Sequence, residues 1–273
     1  VTAPAPPARP LPASATAGTG QLAAFALRRD RVTLPVTALV LLAMVMITDV
    51  SLQTAYGTDA ERQALAATVG VNTAFLALLG PLTATSLPAV VSWRIGLFMM
   101  VVLAVVVALA VVRHTRKEEE GGRLEPVRAA STGALAPLLA GLVVGVVTTA
   151  ATSVGVVVVF LAMGSGRAAL LVGAQYAGLG LVTAGLAALA AQVATTARAA
   201  SSITVTLLVL GYAVRGAADV KDGLSWLRWT TPVGWVQRID PFDAADLRPF
   251  AACLGLGVVL AGAAAVLSLR RDL

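Results

Sequence analysis

Charge is scarce in this sequence: Asp, Glu, Lys and Arg supply 12% of its 273 residues, against about 25% in a typical soluble domain. A soluble fold of this size could not keep so much apolar surface out of water. A single cysteine, Cys253, excludes a disulfide scaffold. With only one histidine, His114, far from that cysteine in the chain, there is no ligand set for a metal. Lysine occurs only at 117 and 221, and neither follows a glycine. The phosphate-binding G-x-x-x-x-G-K-[ST] loop is therefore absent, and with it an ATPase site. No apolar run carries paired acids or a His–Asp relay, which argues against a proton-driven pump.

What is abundant is apolar residues, 58% of the chain, with a mean hydropathy of +0.86. They are gathered into runs long enough to cross a bilayer, which takes ~20 helical residues. The predicted fold class is all-α, a polytopic membrane protein, because a lipid-embedded backbone must satisfy its own hydrogen bonds. Six spans are expected near residues 32–50, 93–112, 135–163, 168–194, 199–215 and 250–269, within a transmembrane domain over 32–273. The fifth run ends at Arg215, whose stem can snorkel to the interface. Residues 1–21, rich in Pro, Ala, Thr and Gly, read as a disordered tail.

The few charges fix a topology. Arg28, Arg29 and Arg31 precede the first span, and Arg113, Arg116, Lys117, Arg123 and Arg128 follow the second. The positive-inside rule places both groups in the cytoplasm, so an even number of spans must separate them. The mildly apolar segment 69–91, with Asn72, Pro81 and Pro88, is then not a crossing. Residues 58–92 are read as external, lying in the interface or dipping part-way. Both termini fall inside. Arg62, Lys221, Arg228 and Arg238 fall outside, among Asp59, Glu61, Asp219, Asp222, Asp240, Asp243 and Asp246. The basic residues sit between apolar runs rather than on one face with aromatics, so nucleic acid is not the expected partner; the lipid bilayer is.

Four segments stand out. The inner loop RHTRKEEEGGRLEPVR, residues 113–128, mixes both signs, with Arg116, Lys117, Glu118, Glu119, Glu120, Arg123 and Glu125. Such a run is usually a solvated turn, but it can also dock a partner by charge complementarity. Residues 22–31, LAAFALRRDR, read as a short interfacial connecting helix bearing Arg28, Arg29 and Arg31. The external stretch 216–242 holds Trp226, Trp229 and Trp235, as expected of an aromatic belt. Thr148, Thr149, Gln175 and Tyr176 are polar groups within spans. They could line a translocation path, although helix–helix hydrogen bonding is the commoner use, and Gly141-x-x-x-Gly145 offers close helix approach.

The segment order resembles a type-2 ABC exporter permease, more narrowly the actinobacterial polyketide-antibiotic exporter group. LRRDR (27–31), RHTRKEEEGGRLEPVRA (113–129), ARAASS (197–202), YAVRGAAD (212–219) and LSWLRWTTPVGWVQRIDPF (224–242) carry the resemblance. It implies a permease subunit of the bacterial cell membrane that exports hydrophobic or amphipathic small molecules such as antibiotics. It implies no cofactor in this chain, ATP and Mg being held by a partner ABC ATPase subunit. Residues 113–128 would hold the coupling helix that rests on that subunit, and 216–249 would hold external re-entrant helices. Members of the group usually carry two related six-span halves. A second six-span half is therefore expected, from a second copy of this chain or from a C-terminal half. The contrasting expectation, from the residues alone, is a carrier, channel or membrane scaffold that does not use ATP.

Overall fold

The computed structural model describes residues 14–121 and 132–271. The described residues are helical throughout, with no strand. A short helix α1 (Thr19–Arg29) leads into the first long helix, α2 (Thr33–Ala55). Two short helices follow, α3 (Asp59–Gly70) and α4 (Thr73–Leu79), bent by 98° at their junction. Then come α5 (Leu87–Val91), a π-helical turn (Ser92–Gly96), α6 (Leu97–His114) and α7 (Arg116–Glu120). The remaining long helices are α8 (Ala136–Ala162), α9 (Arg167–Val193), α10 (Ala197–Val220) and α12 (Arg248–Arg271). Between the last two lie a 3₁₀ segment (Asp222–Trp229) and α11 (Pro232–Gln237).

Six helical segments are long and apolar enough to cross a membrane. At ~1.5 Å per residue, even the 23 residues of α2 exceed a ~30 Å hydrocarbon core. The chain goes out along α2 and returns along α6. The return is fixed by contact: Arg29 and Asp30, just before α2, meet Glu118, Arg113 and His114, at and beyond the end of α6. Residues 56–86 therefore sit at the opposite end of the bundle and do not add a crossing. We call the two ends the basic end and the tryptophan end.

Helix α9 is the centre of the bundle, packed on α6, α8 and α12. Its Val172, Tyr176, Leu179 and Ala187 are essentially unexposed. The expected close approach at Gly141 and Gly145 is present, and it is with α6. A Cβ on Gly141 would stand 2.6 Å from Thr115 Cγ2, and one on Gly145 2.8 Å from Val111 Cγ2. By contrast α2 and α12 present broad apolar faces outward, with Val36, Leu39, Ile47, Val258 and Val259 more than half exposed. In a bilayer those faces meet lipid or another helix.

Three expectations are corrected. The second span begins at Leu87, within the stretch 58–92 read as external. Pro88 lies in the first turn of α5, where its missing N–H breaks no helical bond, so it opens the helix instead of ending it. The fifth span continues past Arg215 to Val220, because that arginine is buried and paired rather than snorkelling. Residues 14–21, read as tail, are ordered. Gly133 and Leu135 donate their N–H groups to the Ala17 and Ala15 carbonyls at 2.9 Å each, and α1 starts at Thr19. Residues 1–13 of that tail lie outside the described residues.

Candidate functional site

At the basic end, α1, α6, α7 and the α9–α10 turn are tied into one platform. Asp30 caps α1 and is buried. Its Oδ2 accepts from Arg113 Nη2 at 2.5 Å and lies 2.7 Å from His114 Nε2. One residue earlier, Arg29 donates to Glu118 Oε1 of α7 at 2.5 Å. Ala26 packs against Ala110 of α6 and Val144 of α8, which sets α1 across the bundle. Phe25 faces outward, 67% exposed, as an interfacial helix requires.

The charged α7 is held on both sides. Arg116 pairs with Glu119 within α7 at 2.7 Å and donates through Nε and Nη2 to the Thr195 carbonyl at 3.2 and 2.7 Å. Glu120 Oε1 accepts the Ala197 N–H at 2.6 Å, at the first turn of α10, where Thr196 also caps Ala199. A carboxylate at a helix N-terminus is electrostatically favoured. So Arg116, Glu118 and Glu120 join neighbouring elements and Glu119 braces Arg116, while Lys117 projects outward. Arg28 and Arg31 are exposed. Arg123 and Glu125, the other two residues expected in this loop, lie outside the described residues.

Beside the platform α2 and α10 stand apart, and α6 forms the floor of the gap. The resulting groove has a volume of about 590 Å³. Leu34 and Thr37 line one wall, Val106 and Leu109 the floor, and Lys117 and Arg198 the rim.

The polar residues proposed for a path lie elsewhere. Thr148, Thr149, Gln175 and Tyr176 are all buried, on α8 and α9. Thr148 returns its hydroxyl to the Val144 carbonyl at 2.7 Å, and Gln175 Nε2 donates to the Val236 carbonyl of α11 at 2.9 Å. Thr149 seats against Gly180, where a Cβ would stand 2.6 Å from its Oγ1. The hydroxyls of Thr149, Thr152, Ser153 and Tyr176 have no hydrogen-bond partner among the described residues. None of the four proposed residues lines the groove.

At the tryptophan end the chain is closed by buried cations. Arg215 is fully buried; it pairs with Asp219 at 3.0 Å and donates to the Leu78 carbonyl at 2.9 Å. The Tyr212 hydroxyl donates to the same carbonyl, and its ring lies 4.6 Å from the Arg215 guanidinium. Asp219 is also 2.6 Å from Arg228 Nε and accepts from Gln237 at 3.0 Å. Arg62 is buried too. It ties Asp59 and the carbonyls of Tyr56, Gly57 and Thr85 together. Trp226 and Trp229 are exposed, as a headgroup-level belt requires. Trp235 donates its indole N–H to the Trp229 carbonyl at 2.6 Å, and Arg238 lies over the Trp229 ring at 4.3 Å. Burial pushes the Asp240 carboxyl above its ordinary range, opposed by the Thr83 hydroxyl that bonds it at 2.8 Å.

Sequence reasoning missed Asp30, Arg62 and Arg215 as organisers of the two ends. The Arg215–Asp219 pair has a local signal, a four-residue spacing on one helix. The Asp30 contacts span 83 and 84 residues of sequence and have none.

The chain matches no profile of a known protein family. It is similar to a multidrug efflux system permease protein of Mycobacterium tuberculosis, 34% identical over 229 residues. The likeness covers 82% of this chain and 41% of that protein. The chain thus spans about two fifths of the length of the relative it matches. With the six apolar helices, this marks a multi-pass membrane protein.

Proposed function

We propose that this chain is one six-span half of the membrane part of an ABC exporter, and that a separate ATPase subunit docks on its basic end. The observation that carries the reading is the platform itself. A short charged helix, α7, continues the chain directly beyond α6 and is cross-linked to α1, the α9–α10 turn and α10. A push on α7 is thereby delivered to two spans and to the interfacial helix at once. Two discrete arrangements of these packed helices would open the bundle to one side or the other. Similarity to an efflux permease supports the same reading.

On this reading the basic end and both termini of the chain face the cytoplasm, and the tryptophan end faces outside. ATP and Mg reside on the partner, and this subunit carries out no chemistry of its own. A second six-span half completes the transporter, supplied by another copy of this chain or by another segment. The cargo is a hydrophobic or amphipathic small molecule, antibiotics included. A carrier coupled to ions fits less well. The two most buried carboxylates, Asp30 and Asp219, sit at opposite ends of the bundle in ion pairs, away from any mid-span path.

Capture of the ATPase encoded alongside this chain tests the reading. Reversing Glu118, Glu119 and Glu120 to lysine should abolish co-purification while the protein still elutes as a single species in detergent. Unchanged capture and unchanged ATPase stimulation would refute docking at α7.

A further inference from the structure

The groove between α2 and α10 is chemically one-sided. Its body is apolar, with Leu34, Val106 and Leu109 facing it, and Leu109 is 48% exposed although it lies well inside a span. Its rim carries Arg113, Lys117, Arg198 and Glu120. Two of these charges are already engaged: Arg113 with Asp30, and Glu120 with the N–H of Ala197. Lys117 and Arg198 are exposed and meet no carboxylate among the described residues. Two cations without a carboxylate partner among the described residues therefore stand over an apolar slot. Its volume, about 590 Å³, falls in the range that encloses a drug-sized molecule.

We infer that this groove binds an amphipathic anion: a drug-sized molecule whose apolar body lies on α6 and whose acidic end meets Lys117 and Arg198. The inference deepens the exporter reading and rests on it, since it names the class of cargo that such a subunit takes up at its basic end. Charge complementarity selects the sign of the ligand. The apolar floor selects amphiphiles over simple anions such as inorganic phosphate, which would gain nothing from Val106 and Leu109. Entry is from the basic end, because the rim cations and the α7 platform border the same opening. A molecule seated there touches α2, α6, α7 and α10 together, so its presence bears on the helices that α7 would move.

The experiment uses the purified chain in nanodiscs of zwitterionic lipid, with empty nanodiscs as the blank. The probes are 11-(dansylamino)undecanoic acid and its methyl ester, which share one apolar body and differ in charge. Dansyl fluorescence reports binding. The acid should bind about tenfold more tightly than the ester, the size expected of hydrogen bonds to a charged group, and the preference should shrink as salt is raised. Lys117→Gln with Arg198→Gln should remove the preference and leave ester binding unchanged. Both side chains are exposed, and Arg198 is a cation in the first turn of α10, so its loss does not weaken that helix. Ser201→Asp, which adds an anion to the rim, should lower acid binding alone.

Equal binding of acid and ester, or a preference that survives in the double variant, would overturn the inference. So would displacement of the acid by phosphatidylglycerol added to the nanodisc, which would make the groove a lipid site. None of these measurements requires the ATPase. Failure of the unmodified chain to capture an ATPase, with the acid preference intact, would instead count against the exporter reading and leave the groove's ligand class standing.

Discussion

Arginine does opposite work at the two ends of this bundle. At the tryptophan end Arg215 and Arg62 are buried, and each is spent on backbone carbonyls and a carboxylate of the same end. At the basic end Arg29 keeps a side chain 42% exposed and Arg113 one 32% exposed, each bonded to a carboxylate of another element. A count of positive charge by loop treats all four alike. The difference is in what happens when the partner moves. A buried guanidinium has no water to fall back on, so its end holds one arrangement. Arg29, at the surface, can exchange Glu118 for solvent at little cost, so α7 can shift on α1 while the buried Asp30 keeps α1 on α6. Rigidity is built where the end of α10 meets the segments folded against it, and compliance at the α1–α7 contact, where a partner could push.

The largest effect should come from the rigid end. Arg215→Met leaves the buried Asp219 with only the partly exposed Arg228 and the neutral Gln237 amide among its described partners, and takes one donor from the Leu78 carbonyl. Breaking a buried pair on one side typically costs about 3–5 kcal/mol, so the variant should lose thermal stability in detergent or fail to accumulate. Adding Asp219→Leu should recover part of that loss, because no carboxylate then remains buried and Arg228, 28% exposed, can turn outward. Should the single variant be as stable as the parent, the lock assigned to this end does not exist.

A smaller loss is expected at Gly80. It holds φ at +85°, and a Cβ there would stand 2.0 Å from Gln237 Nε2. Gly80→Ala would combine left-handed strain with displacement of the Gln237 amide from Asp219, together about 1–3 kcal/mol. The Gly80 carbonyl also accepts the Trp93 indole N–H at 2.8 Å. Quenching or a shift of tryptophan emission in the folded variant would therefore report where the strain goes. A stable variant with unaltered emission would mean that residues 80–86 are not pinned as described.

What the sequence made legible follows from what is local. Six apolar runs of roughly the right length locate six spans, since the bilayer requires them and nothing distant is needed to see them. The return of the chain to one side was readable because Arg29 and Lys117 carry charge that the bilayer excludes. Span ends were less readable. Pro88 breaks a helix interior but opens a first turn, and sequence alone does not say which it meets. Arg215 reads as an interfacial residue until Leu78, Arg228 and Gln237 arrive around it from elsewhere in the chain. For the site, the charged α7 and the connecting helix stand out in the sequence, but the bonds joining them do not. Arg29 and Glu118 are 89 residues apart, and neither carries a local mark of the other. The groove was not visible at all, because an opening between helices belongs to no one segment.

The smallest effect on stability should come from that Arg29–Glu118 bond, and it is the most direct test of the contrast. The pair is partly exposed, so screening limits its worth to less than about 1 kcal/mol. Arg29→Glu or Glu118→Arg alone should move the thermal midpoint in detergent only slightly. Function should respond far more, because the pair is one of the bonds linking α7 to α1. If the chain works in the proposed exporter, efflux driven by the partner ATPase should fall roughly fivefold or more, the lower end of a typical coupling energy. The doubly exchanged variant, Arg29→Glu with Glu118→Arg, restores an opposite-charge pair with its sign reversed and should recover most of the activity. Recovery would show that the bond matters as a joint, independent of which side carries the cation. If the exchange fails to rescue although ATPase capture is intact, Glu118 acts on the partner and not on Arg29. If either single variant is instead as destabilised as Arg215→Met, the basic end is a lock like the other, and compliance must be sought in the α2–α10 gap.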